Sequence, residues 1–186
     1  MAIAVQKIYL VPIGQVEPEV LSTLCPPLEE RFGYPCEVAP GIELPPGAYH
    51  PRRGQYHAPA FLERLLTLAL PDAVRVLGIT GVDLYVPELN FVFGQAQFPG
   101  RVAVISLCRL RPQFYGLEPD QALLQERALK EAVHELGHTF GLSHCPQPGC
   151  VMHFSNSLLD TDRKGSDFCP TCRWELDKRR GLGAEM

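Results

Sequence analysis

A mixed α/β (α+β) fold is the reading that three features of the sequence support. Apolar residues recur at helical spacing in some segments and gather in short β-branched runs in others, and the two kinds alternate along the chain. One segment, Asp120 to Leu142, carries a longer helical period than any other. Four cysteines crowd the C-terminal end, where regular patterning gives out.

Taken in order, Lys7 to Val11 reads as a strand. The stretch Met1 to Gly14 holds one lysine and is broken by Pro12, without a basic lead-in or a small-residue cleavage site, so it suggests a first strand and not an export signal. Glu17 to Phe32 has Val20, Leu21, Leu24 and Leu28 at helical spacing despite Pro26 and Pro27 within it. A short strand is expected around Cys36 to Val38. The Pro- and Gly-rich stretch Ala39 to Gly54 then reads as a surface connection, with His50, Arg52, Arg53 and the following His57 solvated. Phe61, Leu62, Leu65, Leu66 and Leu68 mark a second helix that stops before Pro71. Val74 to Ile79, Asn90 to Phe93 and Val102 to Cys108 read as strands. In Asp120 to Leu142 the apolar positions Leu124, Ala128, Leu129, Ala132, Val133, Leu136 and Phe140 fall three and four apart, and Gly141 supplies a left-handed stop. A short helix is expected around Thr171 to Arg180, with Lys178, Arg179 and Arg180 on a solvated face.

A chain of 186 residues with 46% hydrophobic content closes one core, so residues 1–186 are expected to form a single domain. Within it, 1–142 would be the sheet-and-helix part and 143–186 a smaller C-terminal part. A net charge of -4 offers no field for phosphate backbones or anionic lipid, which argues against nucleic acid and membrane partners. No window reaches the ~20 apolar residues of a membrane-spanning helix. The expected state is a cytoplasmic monomer. Of seven cysteines, Cys25, Cys36 and Cys108 have no paired setting and read as free core thiols.

His134 and His138 stand one helical turn apart, so their imidazoles share a face and can hold one ion. Glu135 lies about 100° further round the helix, off the metal but near a water carried by it, which suits a general base. Gly141 allows a sharp turn after the helix, and His144 then returns as the third ligand, leaving a fourth position open. Three neutral imidazoles leave a zinc ion its full charge, which draws the pKa of a coordinated water from ~15.7 towards ~7. This is the chemistry of a hydrolase.

Cys145, Cys150, Cys169 and Cys172, in the pattern Cys145-x4-Cys150 and Cys169-x2-Cys172, supply four thiolates. They would close a tetrahedral zinc with no vacancy, a structural site. Since Cys145 follows His144 directly, that zinc would anchor the loop that positions the third histidine.

With these motifs, with Cys150-Val151-Met152, and with Asp83-Leu84-Tyr85-Val86-Pro87 and Leu89-Asn90-Phe91-Val92-Phe93-Gly94 upstream, the chain closely resembles the archaemetzincins over most of its length. The resemblance implies a metzincin-like zincin fold, a twisted mixed sheet over an active-site helix with a small four-cysteine zinc subdomain. It implies that Met152 forms the Met-turn beneath the catalytic zinc. It also implies that Asn90, Phe91, Val92, Phe93 and Gly94 form the edge strand on which a peptide or protein substrate is laid. Phe154 stands where some metzincins carry a tyrosine, and Gln95 where the family pattern has an acidic residue. The implied activity is zinc-dependent hydrolysis of peptide bonds, with two zinc ions per chain. The competing reading is a non-catalytic or nearly inactive zinc-stabilised peptide-binding module, which has no need of a carboxylate at Glu135.

Overall fold

The computed structural model describes residues 5–181; residues 1–4 of the expected opening segment and residues 182–186 of the expected domain lie outside them. Strand β1 (Lys7–Ile13) buries Ile8 and Leu10 on one face and Val11 and Ile13 on the other, and runs parallel to two neighbours, β2 (Cys36–Val38) and β5 (Ala73–Thr80). Beyond β5 lies β8 (Val102–Ser106), parallel to it and buried at every position, as a strand covered on both faces must be. β7 (Gly94–Ala96) closes the sheet as an antiparallel edge, giving the order β2-β1-β5-β8-β7.

Helices α1 (Pro18–Phe32) and α3 (Gln121–Thr139) cover one face of this sheet, and α2 (Ala58–Leu66) covers the other. One apolar cluster joins Ile8, Leu10 and Leu77 to Leu24, Leu28 and Leu136; a second joins Val11, Val76 and Val104 to Phe61 and Leu65. Helix α1 runs unbroken through Pro26 and Pro27. The carbonyls that lose their partners belong to Ser22 and Thr23, which are exposed, while Val20, Leu21, Leu24, Leu28 and Phe32 fill the buried face. Packing of five large side chains outweighs the ~3 kcal/mol an interior proline costs.

Two expectations need correction here. Cys25 and Cys36 are not free thiols: a disulfide joins them, tying α1 to the start of β2 across a Cα separation of 5.2 Å. The residues are far enough apart in sequence that no paired spacing announced it. The stretch Ala39 to Gly54 is not wholly irregular either. Ile42 bridges to Ile13, and β3 (Tyr49–His50) pairs with β4 (Gln55–His57), which pairs with β6 (Leu84–Tyr85) in a second small sheet. Strands of two and three residues are too short to show an alternating period.

Past α3 the chain forms α4 (Leu158–Arg163) and α5 (Pro170–Arg179). Asp162 binds Arg127 of α3 through two bonds of 2.7 Å, and Cys172 and Leu176 join the first apolar cluster. The C-terminal segment therefore packs against the same core as the sheet.

Candidate metal centre

Asp120 starts α3 by accepting a hydrogen bond from the Leu123 N–H at 2.9 Å, satisfying one of the otherwise unpaired first-turn donors. With Leu124, Ala128, Ala132, Val133 and Leu136 in the core, the register presents His134, Glu135 and His138 to a cleft. Gly141, at φ +87°, turns the chain back, its N–H bonding to the His138 carbonyl at 2.8 Å. That reversal brings the His144 ring within 5.3 Å of His134 and 4.8 Å of His138, centre to centre.

The three rings are oriented for an ion. Nδ1 of His134 faces the Val151 carbonyl at 2.8 Å and Nδ1 of His138 faces the Leu142 carbonyl at 2.7 Å, so each carries its proton there. The two Nε2 lone pairs then confront each other at 3.1 Å, an arrangement that is repulsive unless a cation lies between them. Donor atoms of all three residues fall within 4.8 Å of one another. Nitrogens at 2.0–2.1 Å from a tetrahedral zinc lie about 3.4 Å apart, so the set fits zinc. Burial holds His134 well below the ordinary histidine value and His138 down to about 4, and lowers His144 as well. Neutral imidazole is the form a metal requires.

Glu135 is buried against this centre. Burial, and then the charge of Glu131, push its carboxyl up to about 8. Its position depends on a glycine: a β-carbon on Gly94 would sit 2.6 Å from Glu135 Cγ and 2.7 Å from the Val104 carbonyl oxygen. Met152 is fully buried under the helix, and a β-carbon on Gly137 would lie 2.5 Å from its sulfur. Met152 is therefore pressed against the backbone of the turn that carries His134 and His138.

Cys145, Cys150, Cys169 and Cys172 bring their sulfurs within 4.8 Å of one another, and those of Cys145 and Cys169 are 3.8 Å apart. Sulfurs at 2.3 Å from a tetrahedral zinc are separated by about 3.8 Å. Three of the four are buried and Cys169 is half-buried, and four donors leave no coordination position open, unlike the histidine set. The two are joined through the backbone: the Cys145 N–H donates to the Met152 carbonyl at 2.9 Å, and His153 Nδ1 meets the Cys145 carbonyl at 2.9 Å. One ring nitrogen of His153 is thereby engaged by a backbone carbonyl, while Phe154 packs on His144 with ring centres 4.9 Å apart.

The cleft beside the histidines has a volume of about 400 Å³. Its upper rim is Leu89 to Gly94 and its lower rim Phe154 to Asn156. The edge strand begins at Gly94, so Asn90, Phe91, Val92 and Phe93 precede it instead of forming it; Val92 makes a single bridge to Leu84. Asn90 is held by Gln55, whose amide donates to its carbonyl at 2.9 Å, and Phe91 lies under Arg109, itself paired with Asp83 at 2.7 Å. Those side-chain contacts fix the segment together with two backbone bonds, from the Val92 N–H to the Leu84 carbonyl at 2.9 Å and from the Ser106 N–H to the Phe93 carbonyl at 2.8 Å. His50 and His57 pack on Tyr85 in the small sheet, and Gln95 sits in β7.

Two buried groups near the centre had no sequence expectation. Glu131, one turn before Glu135, lines the cleft, and Lys164 lies 3.1 Å from it and fully buried. Extending the histidine face back along α3 would have found Glu131. Nothing local marks Lys164.

One set of three histidines with a position to spare beside a buried carboxylate, and a complete set of four cysteines next to it, define a zinc-dependent hydrolase. Comparison with known proteins makes this specific. The sequence profile of Peptidase family M54 matches residues 26–178. The archaemetzincin of Methanocaldococcus jannaschii is 46% identical over 95% of this chain and 96% of its own length. The crystal structure of archaemetzincin from Methanopyrus kandleri superposes with a TM-score of 0.85 at 44% identity, covering 95% of this chain and 96% of that one. That of Archaeoglobus fulgidus archaemetzincin, complexed with malonate, gives 0.79 at 38% identity over 91% and 99%. The chain belongs to the archaemetzincin family and is a zinc metallopeptidase with a metzincin-like fold.

Proposed function

We propose that this protein hydrolyses peptide bonds at the histidine centre with Glu135 as general base, and that the observation carrying this is the burial of Glu135 beside three convergent, neutral imidazoles. His134, His138 and His144 hold a catalytic zinc, and Cys145, Cys150, Cys169 and Cys172 a structural one. When bound, the catalytic ion polarises the scissile carbonyl and eases deprotonation of water. Glu135 takes the proton of the attacking water and delivers it to the departing amine. A carboxyl whose proton affinity burial has raised is suited to accept it. Met152 supports the histidine-bearing turn from below.

The substrate is a peptide or protein chain. It lies between the two rims, pairing in extended form with the free edge of β7 from Gly94 onward, while Asn90 to Phe93 shape the entrance. The chain works as a single domain and as a monomer. Four free thiols in the zinc cluster favour a cytoplasmic setting, the Cys25–Cys36 bridge notwithstanding, and the net charge of -4 disfavours nucleic acid. Among the described residues no helix is long and apolar enough to cross a membrane.

Mapping of cuts in a diverse peptide pool by mass spectrometry, with zinc-loaded and chelator-treated protein, tests the reading. New termini that appear only with zinc are expected. Capture of peptides without any cut at any pH would instead identify a binding module.

A further inference from the structure

Besides the histidines and Glu135, the cleft is lined by Glu131 of α3 and, from the segment after Met152, by Phe154, Ser155 and Asn156. Glu131, 2% exposed, is the most buried of these four. One oxygen, Oε1, is occupied by Lys164 Nζ at 3.1 Å and the Thr161 hydroxyl at 3.0 Å. Both contacts go to that same oxygen, and Glu131 lines the cavity, which leaves Oε2 for whatever enters. On the wall, the Ser155 hydroxyl is buried and has no hydrogen-bond partner. Asn156 stands exposed at the mouth.

We propose that Glu131 and Ser155 form a specificity pocket for an uncharged, hydrogen-bond-donating side chain of the substrate, an amide or a hydroxyl. This rests on the peptidase reading above. An acidic side chain meets the carboxylate of Glu131 and is repelled. An aliphatic one leaves Oε2 and the Ser155 hydroxyl desolvated without partners, the penalty that makes polar sites reject apolar isosteres. A cationic one adds charge to a place where Lys164 already balances Glu131 and where a dication is held close by. An amide offers donors to Oε2 and an acceptor to the serine without adding charge.

The test uses zinc-loaded protein and peptides alike except at each position flanking the cut, where Gln, Glu, Met and Lys are exchanged. Gln is expected to exceed each of the others in kcat/KM by tenfold or more at one position. Ser155→Ala, a change too small to threaten folding, should shrink the preference for Gln over Met several-fold. Glu131→Gln combined with Lys164→Met, which removes the buried pair together, should bring Glu to parity with Gln. Equal acceptance of Met or Glu by the wild type, or an unchanged preference in Ser155→Ala, overturns the proposal while leaving the peptidase reading intact. The same peptides are also titrated onto zinc-loaded Glu135→Ala protein. Preferential binding of the Gln peptide without cleavage by the wild type upholds the pocket and sinks the hydrolytic reading; absence of any binding overturns the pocket.

Discussion

Gly94 is the smallest residue in the cleft and among the most constrained. Its missing side chain lets the edge strand lie against Glu135, with Glu135 Cγ and the Val104 carbonyl both inside the space a β-carbon would need. Gly94→Ala is therefore expected to displace the carboxylate at an overpacking cost of about 1–3 kcal/mol, lowering kcat with zinc content unchanged. Wild-type turnover in that variant would show that Glu135 does not depend on this contact. The residues of the two donor sets were legible in the sequence because metal chemistry fixes both their identity and their spacing. Gly94 stands in a sequence motif that carries no physical reason for it; the reason lies in packing against an atom of α3. Lys164 was not legible at all, since its partner Glu131 reaches it only through the docking of α4.

Between Gly141 and Met152 a short loop serves both donor sets. The Cys145 N–H holds the Met152 carbonyl, and the neighbouring Val151 carbonyl fixes the His134 tautomer. Cys145→Ser should release the structural zinc and also weaken the histidine site, by about the 10–100-fold that loss of supporting contacts brings. Metal analysis against a graded chelator decides it: loss of one zinc with unchanged affinity at the other refutes the coupling. A second element-level test concerns α1. The Cys25–Cys36 bridge closes a loop of sequence separation 11, for which chain entropy predicts roughly 3 kcal/mol. Cys25→Ser, or strong reductant, should lower the unfolding midpoint accordingly, and an unchanged midpoint would remove the bridge from the account of stability. Long periodic elements such as α1 and α3 were readable because many side chains repeat one instruction. The small sheet and the true position of β7 were not, because strands of two or three residues take their register from neighbours distant in sequence.

For the molecule as a whole, the buried histidines couple stability to pH. His138 falls from the ordinary 6.5 to about 4 in the folded protein, and His134 and His144 move the same way, all through burial first. The unfolded chain then takes up protons that the folded chain refuses, so stability is lost as pH falls from about 6.5 towards 4. For His138 alone the loss at pH 5 is on the order of 2 kcal/mol. Metal-free protein should unfold at a lower temperature at pH 5 than at pH 7, and equal midpoints would contradict the neutral, buried state assigned to these rings. Protons compete for the His138 ring of the folded chain only near pH 4, so zinc should be released there and not near pH 6. The role of Glu135 as general base is tested by turnover of one cleaved peptide by wild-type and Glu135→Ala proteins at matched zinc content. A fall of about 10²–10⁴-fold with both zinc ions retained is expected of a lost general base; equal rates would contradict the account.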